Sequence, residues 1–183
     1  MNFCSHCGNP LASRIPPGDS RPRYICDSCG TIHYQNPRVV TGCLVTHEDK
    51  VLLAQRAIAP RHGFWTLPAG FLENGETAAA GAARETLEEA CAAVDIIELY
   101  TMFSLPHINQ IYCFFRAEMA NPDFSAGSES LDVKLLGEHE IPWDQLAFPV
   151  VTDTLKFYFA DRQKGVFTPR TLDIIRPLAK PTR

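Results

Sequence analysis

The chain has no apolar stretch approaching the roughly 20 residues needed to span a bilayer, so no membrane partner is expected. Its start, Met1-Asn2-Phe3-Cys4-Ser5-His6-Cys7, lacks the basic region and apolar core of a secretory leader. A cytoplasmic location is expected, or an organelle stroma or matrix after removal of a transit peptide. Long basic runs are absent and the formal net charge is -4, which disfavours generic nucleic-acid binding. There is no internal repeat and no low-complexity segment. The cysteines number 7, and an odd count argues against a secreted disulfide framework. What is present, 45% hydrophobic and 21% charged over 183 residues, fits one globular domain plus a small extra module.

Cys4, Cys7, Cys26 and Cys29 form two C-x-x-C pairs, each followed by a glycine, Gly8 or Gly30. Glycine adopts the tight turns that aim two thiolates at one ion. Between the pairs lie the turn signal Ile15-Pro16-Pro17-Gly18-Asp19 and few large apolar residues, too little for folding on core burial. The pattern predicts a ribbon over residues 1–35 holding one structural Zn²⁺ per chain. Four sulfurs close a tetrahedral shell, so this zinc is expected to take no part in catalysis. His6 and His33 are expected to be partly exposed turn residues rather than ligands. Arg14, Arg21 and Arg23 give the ribbon modest positive charge, a weak case for nucleic-acid contact. Cys43, Cys91 and Cys113 sit in apolar segments and read as small buried hydrophobes.

The richest local signal is acidic. The stretch Thr77 to Ala93 is alanine-rich and predicts a helix, with Thr77 as N-cap and Glu76 near the positive end of its dipole. On that helix Glu85, Glu88 and Glu89 fall at i, i+3 and i+4, one above another on a single face. Like charges so placed destabilise a helix by roughly 0.2–0.5 kcal/mol per pair. Only Glu88 has a base at helical spacing, in Arg84. A cation is therefore expected on this face, and three hard oxygen donors point to Mg²⁺ or Mn²⁺. Ala78 and Gly81 are expected to keep the face low enough for a bulky anion to approach.

Elsewhere, β-branched runs predict a hairpin of Val39–Val45 and Val51–Ala54 about the turn at His47-Glu48-Asp49. A short strand is expected around Phe64–Leu67, running into Pro68-Ala69-Gly70, with further strands at 96–103, 111–118 and 131–136. Ile141-Pro142-Trp143 opens a turn. Val151, Leu155, Tyr158 and Phe159 form a helical stripe expected to be core or a dimer contact. Phe64, Trp65, Phe103 and Tyr112 are expected in the core, with stacking on a base or flavin the alternative.

The segment Gly70-x5-Glu76-x7-Arg84-Glu85-x2-Glu88-Glu89 resembles the Nudix box, the defining motif of hydrolases that cleave nucleoside diphosphates linked to another group. With the ribbon, almost the whole chain is similar to the zinc-ribbon Nudix hydrolases. It looks closest to the plant ADP-ribose/FAD pyrophosphatases, through Tyr34-Gln35-Asn36-Pro37, Gly63 to Gly70, Glu129-Ser130-Leu131 and Leu146-Ala147-Phe148. The resemblance to bacterial NADH pyrophosphatases is more distant. It implies an α+β fold, a Nudix α/β/α sandwich with a mixed sheet over residues 36–165. The ribbon precedes it and an irregular extension follows over 166–183. Thr86 and Cys91 depart from the family pattern, which has an aliphatic residue and a glycine there.

The resemblance further implies that Glu85, Glu89 and Glu88 hold catalytic Mg²⁺ or Mn²⁺, with the carbonyl of Ala69 or Gly70 as a backbone ligand. Arg84 would orient the glutamates, and Glu129 would be a further ligand or the general base. Arg56 would bind phosphate, with Glu73 and Glu76 supporting the metal or substrate. The reaction implied is attack of an activated water on a P–O–P linkage of a small nucleotide, most simply ADP-ribose or FAD, releasing AMP. The alternatives are NADH or NAD-capped RNA as substrate, and a non-catalytic nucleotide sensor with a nucleic-acid-binding ribbon. Ser104-Leu105-Pro106-His107 stands where the NADH pyrophosphatases have Ser-Gln-Pro-Trp, which disfavours the first alternative, and the intact box disfavours the second. Relatives imply a homodimer.

Overall fold

In the computed structural model residues 1–175 are described, and the chain divides into two compact units, Met1–Pro37 and a second beginning at Arg38. In the first, β1 (Leu11–Arg14), β2 (Arg23–Cys26) and β3 (Ile32–His33) form an antiparallel sheet. Its buried hydrophobic side chains are Cys4, Ile25 and Cys26, so apolar burial contributes little to holding it.

The second unit is built on a hairpin of β4 (Arg38–His47) and β5 (Lys50–Arg56), with Thr46 opposite Val51. Its sheet adds β6 (Trp65–Thr66), β7 (Ala69–Phe71), β8 (Val94–Leu105), β9 (Gln110–Met119), β10 (Ser130–Leu136) and β11 (Arg170–Asp173). The main path runs β10-β5-β4-β9-β8-β11, with β6 on β5 and β7 on β4. The pairs β4–β9 and β8–β11 are parallel and the others antiparallel, which makes the sheet mixed.

Side-chain alternation then places the two helices, α1 (Ala78–Ala90) and α2 (Pro149–Lys164). Cys43 and Val45 of β4 and Leu52 and Ala54 of β5 cluster with Ala82 and Ala90 of α1. Leu44, Val51 and Leu53, one residue out of phase, cluster with Val151, Leu155, Tyr158 and Phe159 of α2. The helices therefore cover opposite faces, an α+β sandwich, and the stripe on α2 is core. Trp65 and Phe103 lie in that same core, with Tyr112 packed against it. No helix among the described residues is long and apolar enough to cross a membrane.

Three local expectations need correction. The C-terminal extension is not irregular throughout: residues 170–173 form β11 beside Thr101–Ser104. It is fastened by Arg170, whose guanidinium donates to both carboxylate oxygens of buried Asp161 at 2.7 Å each, and Leu172 and Ile174 pack onto the core. Residues 176–183 of the extension lie outside the described residues. Next, Cys91 is exposed, not buried. It caps α1 in the left-handed region (φ 48, ψ 28), the conformation glycine tolerates best. Finally, Gly81 is buried against the sheet, and a Cβ there would lie 2.9 Å from Thr41 Cγ2 and 2.8 Å from Glu76 Oε1. Its smallness serves helix-to-sheet packing rather than an anion's approach.

Candidate active site

Helix α1 starts where Thr77 Oγ1 accepts the Ala80 N–H at 3.1 Å. Two and three turns later come Glu85, partly buried, then Glu88, exposed, and Glu89, only 6% exposed. Facing them is β7. The bonds Cys43 N–H to Pro68 O (3.1 Å) and Leu72 N–H to Val39 O (3.0 Å) flank the Thr41–Gly70 pair. Antiparallel alternation then commits the Gly70 carbonyl to β4 and turns the Ala69 peptide groups away from it. The Ala69 N–H donates to Glu89 Oε2 at 3.1 Å, leaving the Ala69 carbonyl outside the β4 ladder. A Cβ on Gly70 would sit 2.2–2.4 Å from the Glu85 carboxylate atoms. Only glycine allows that approach.

Arg84 reaches further than helical spacing suggests. Its guanidinium folds back to the loop ahead of the helix, donating to Glu76 Oε1 (2.8 Å) and Oε2 (3.0 Å). It also donates to Glu85 Oε1 (2.8 Å) and Glu88 Oε2 (3.1 Å), so Glu85 does have a basic neighbour after all. The Glu76 carboxyl is held down at about 2 by Arg84 and by the Glu73 N–H, which donates to it at 2.8 Å. Glu73 is engaged here through its backbone, with its side chain exposed.

Glu89 behaves oppositely. Burial pushes its carboxyl up to about 7; the Ala69 N–H and Arg56 pull it down, and the charges of Glu85 and Glu129 push it up. Burial also raises Glu85, against the pull of Arg84 and with a push from Glu88 and Glu129. Two neighbouring carboxyls raised in this way, one buried and one partly buried, form a site that a cation would stabilise. Carboxylate oxygens beside a free carbonyl are the donor set of a hard divalent cation. The residues present fit one.

Glu129 and Arg56 are both brought to this cluster. The Ala57 N–H donates to the Glu129 carbonyl at 2.8 Å, and Arg56 lies opposite Ser130 in the ladder. Glu129 is placed by a loop pressed onto the end of α1. There Ser125 N–H donates to Ala90 O (2.9 Å) and Gly127 N–H to Glu89 O (3.0 Å). A Cβ on Gly127 would come within 1.8 Å of the Glu88 carbonyl oxygen, so this glycine lets the loop close. Nothing local in the sequence marks Gly127, because its neighbour in the fold is some forty positions away. Thr86, the polar departure in the box, is buried and satisfied by donating to Ala82 O at 2.8 Å.

In the first unit the ligand sulfurs of Cys4, Cys7, Cys26 and Cys29 lie within 4.8 Å of one another. The Cys4–Cys29 and Cys7–Cys26 separations are 3.7 and 3.4 Å. Zinc–sulfur bonds of about 2.3 Å in a tetrahedron put sulfurs about 3.8 Å apart, so the cluster fits Zn²⁺. Asn9, through its backbone and side-chain N–H groups, lowers the Cys7 thiol to about 6, favouring the thiolate. His33 is not an idle turn residue, since its Nε2 lies 3.2 Å from Cys4 Sγ. The signal available in the sequence is only its place four residues after Cys29.

Comparison with known proteins matches these two units to two family models. The Nudix N-terminal zinc ribbon covers residues 2–35 and the NUDIX domain residues 36–159. A crystal structure of a NUDIX hydrolase from Nitrosomonas europaea is 57% identical, with a TM-score of 0.93 over 95% of this chain and 99% of that one. An ADP-ribose pyrophosphatase from Streptococcus suis is 17% identical over 76% of this chain and all of that one, with a TM-score of 0.59, a likeness of fold alone. The NAD-capped RNA hydrolase NudC of Salmonella paratyphi C is 30% identical over 136 residues, 74% of this chain and 49% of that protein. The chain thus spans about half the length of the curated relatives it matches. The two family models together cover residues 2–159, and the chain belongs to the Nudix hydrolase family, with a zinc ribbon ahead of its Nudix domain.

Proposed function

We propose that this chain hydrolyses the P–O–P linkage of an adenine nucleotide joined to a second group, with ADP-ribose and FAD as substrates, releasing AMP with ribose 5-phosphate or FMN. The observation that carries the reading is the approach of Gly70 to the Glu85 carboxylate beside buried Glu89. That approach sets the Glu85 carboxylate against the β7 backbone beside the Ala69 carbonyl, a donor set that suits Mg²⁺ or Mn²⁺. When bound, a divalent cation neutralises phosphate oxygens and lowers the pKa of a coordinated water. Glu85, Glu89, Glu88 and the Ala69 carbonyl would hold it. Arg84, pinned by Glu76, fixes the Glu85 and Glu88 rotamers, and the Ala69 N–H fixes Glu89. Glu129 accepts a proton from the attacking water, and Arg56 neutralises the phosphate. Water adds across the linkage, one phosphate taking its hydroxyl and the other leaving as a phosphomonoester.

A second reading takes NADH or NAD-capped RNA as substrate, the latter favoured by the names of the Salmonella relatives. The ribbon zinc is structural in either case, and its thiolates suit a reducing cytoplasm. Homodimerisation rests on the resemblance to relatives alone. A product assay on ADP-ribose, FAD, NADH and NAD-capped RNA with Mg²⁺ or Mn²⁺ separates the readings. Preferred turnover of the first two supports the proposal, preferred turnover of the last two selects the second reading, and turnover of none rejects both.

A further inference from the structure

The turn between β5 and β6 and the segment entering α2 line a cleft of about 330 Å³. Its aromatic members are Phe64 and Phe148, both half-buried. Arg61 lies over the Phe64 ring, 5.3 Å from its centroid. Asp144, Thr152 and Asp153 supply polar groups to the lining. The cleft adjoins the carboxylate cluster through one strand end. Arg56 lies over the Phe148 ring at 5.3 Å, and its N–H donates to the Phe64 carbonyl at 2.9 Å. The next residue, Ala57, bonds the Glu129 carbonyl.

The lining states what it can hold. Its volume is at the lower limit for ligand sites, room for one ring system and not for a whole dinucleotide. Two aromatic side chains suit a flat ring. Ionised carboxylates only accept hydrogen bonds, so Asp144 and Asp153 suit N–H donors, while Arg61 in the same lining can donate to a ring nitrogen or a phosphate. A flavin is the larger ring and offers a single N–H between two carbonyls; an amino-bearing purine is smaller and presents an NH₂ with two donors. We propose that this cleft is the base subsite, seating an amino-purine against Phe64 and Phe148 with its amino group donating to Asp144 or Asp153. Resting on the pyrophosphatase reading, it means that the chain recognises the nucleoside half its candidate substrates share. Selectivity for the other half is then weak.

Calorimetry on the zinc-loaded protein with AMP, GMP, IMP and ribose 5-phosphate tests this, run beside the product assay. Expected is binding of AMP or GMP about 10-fold tighter than IMP, with ribose 5-phosphate weaker still. AMP ahead of GMP assigns adenine, and the reverse assigns guanine. In Asp144→Asn combined with Asp153→Asn the amino preference should vanish, and in Phe148→Leu AMP should weaken toward ribose 5-phosphate. Because both aspartates are outside the core, the Asn pair decides the matter even if Phe148→Leu unfolds. Equal binding of AMP, IMP and ribose 5-phosphate, or an Asn pair with undiminished preference, overturns the subsite. Turnover of dinucleotides with no base preference defeats this inference alone, whereas base preference without turnover defeats the pyrophosphatase reading and leaves the subsite standing.

Discussion

The two metal-binding regions of this chain are built in opposite directions. In the ribbon, three short strands bury scarcely more than Ile25 and two of the cysteines themselves. There the metal makes the fold. In the Nudix unit, two cores on either face of the sheet exist without any metal, and they press Glu89 into a place where its charge is unfavourable. There the fold makes the metal site. A thiolate cluster can therefore serve as structure because nothing else competes for that role, whereas the carboxylates are held strained by a scaffold that can bear it.

The largest effect should come from removing the zinc. Chelation, or Cys4→Ser with Cys26→Ser, should withdraw metal-linked folding energy on the order of 10 kcal/mol and melt β1–β3. Amide exchange should show the sheet of the second unit still protected. Simultaneous loss of both units would break the comparison.

Next come the carboxylates. Glu85→Gln with Glu89→Gln should lower kcat/KM by at least about 1000-fold, roughly 4 kcal/mol of barrier. Stability should move the other way. A carboxyl raised in the folded state contributes fully below its unfolded value near 4, and that contribution is lost as pH rises through about 7. Metal-free protein should therefore weaken between those limits. Glu89→Gln should flatten the loss and raise Tm at neutral pH by about 3 °C by thermal scan.

Asp161 sharpens the contrast within one unit. It too is buried, 3% exposed, but Arg170 and then Tyr100 hold its carboxyl down at about 2. Its contribution is complete above the unfolded value near 4 and is lost as pH falls through 2. It amounts to roughly 2 kcal/mol, and acid titrations of Asp161→Asn should lack that limb. One buried acid stabilises the fold and the other burdens it, according to whether the chain itself supplies the counter-charge.

The smallest effect concerns Cys91. Glycine there should relieve left-handed strain and stabilise by about 1 kcal/mol in urea denaturation, without changing turnover.

What could be read from the sequence was what local spacing encodes. The two C-x-x-C pairs, the face carrying Glu85, Glu88 and Glu89, the Thr77 cap and the β4–β5 hairpin each lie within one element or two neighbouring ones. What could not be read depends on distant partners. Strand β11 exists because Arg170 finds Asp161 and Tyr100. Gly127 matters because its loop lands on Glu88, and His33 because β3 returns it to Cys4. Phe64 and Phe148 meet at one cleft only after the sheet has brought β6 beside the entry to α2. The role of Gly81 is hidden for the same reason: its neighbour, Thr41, belongs to β4, forty positions earlier in the chain.

If the Nudix fold prepares a divalent-cation site of its own, that site should fill independently of the ribbon's zinc. Titration of zinc-loaded protein with Mn²⁺, followed by electron paramagnetic resonance, tests it most directly. Saturable Mn²⁺ binding is expected in the wild type and its loss in Glu85→Gln with Glu89→Gln, while zinc content stays the same in both. Mn²⁺ binding that survives those substitutions, or that disappears only when the zinc is removed, would contradict it.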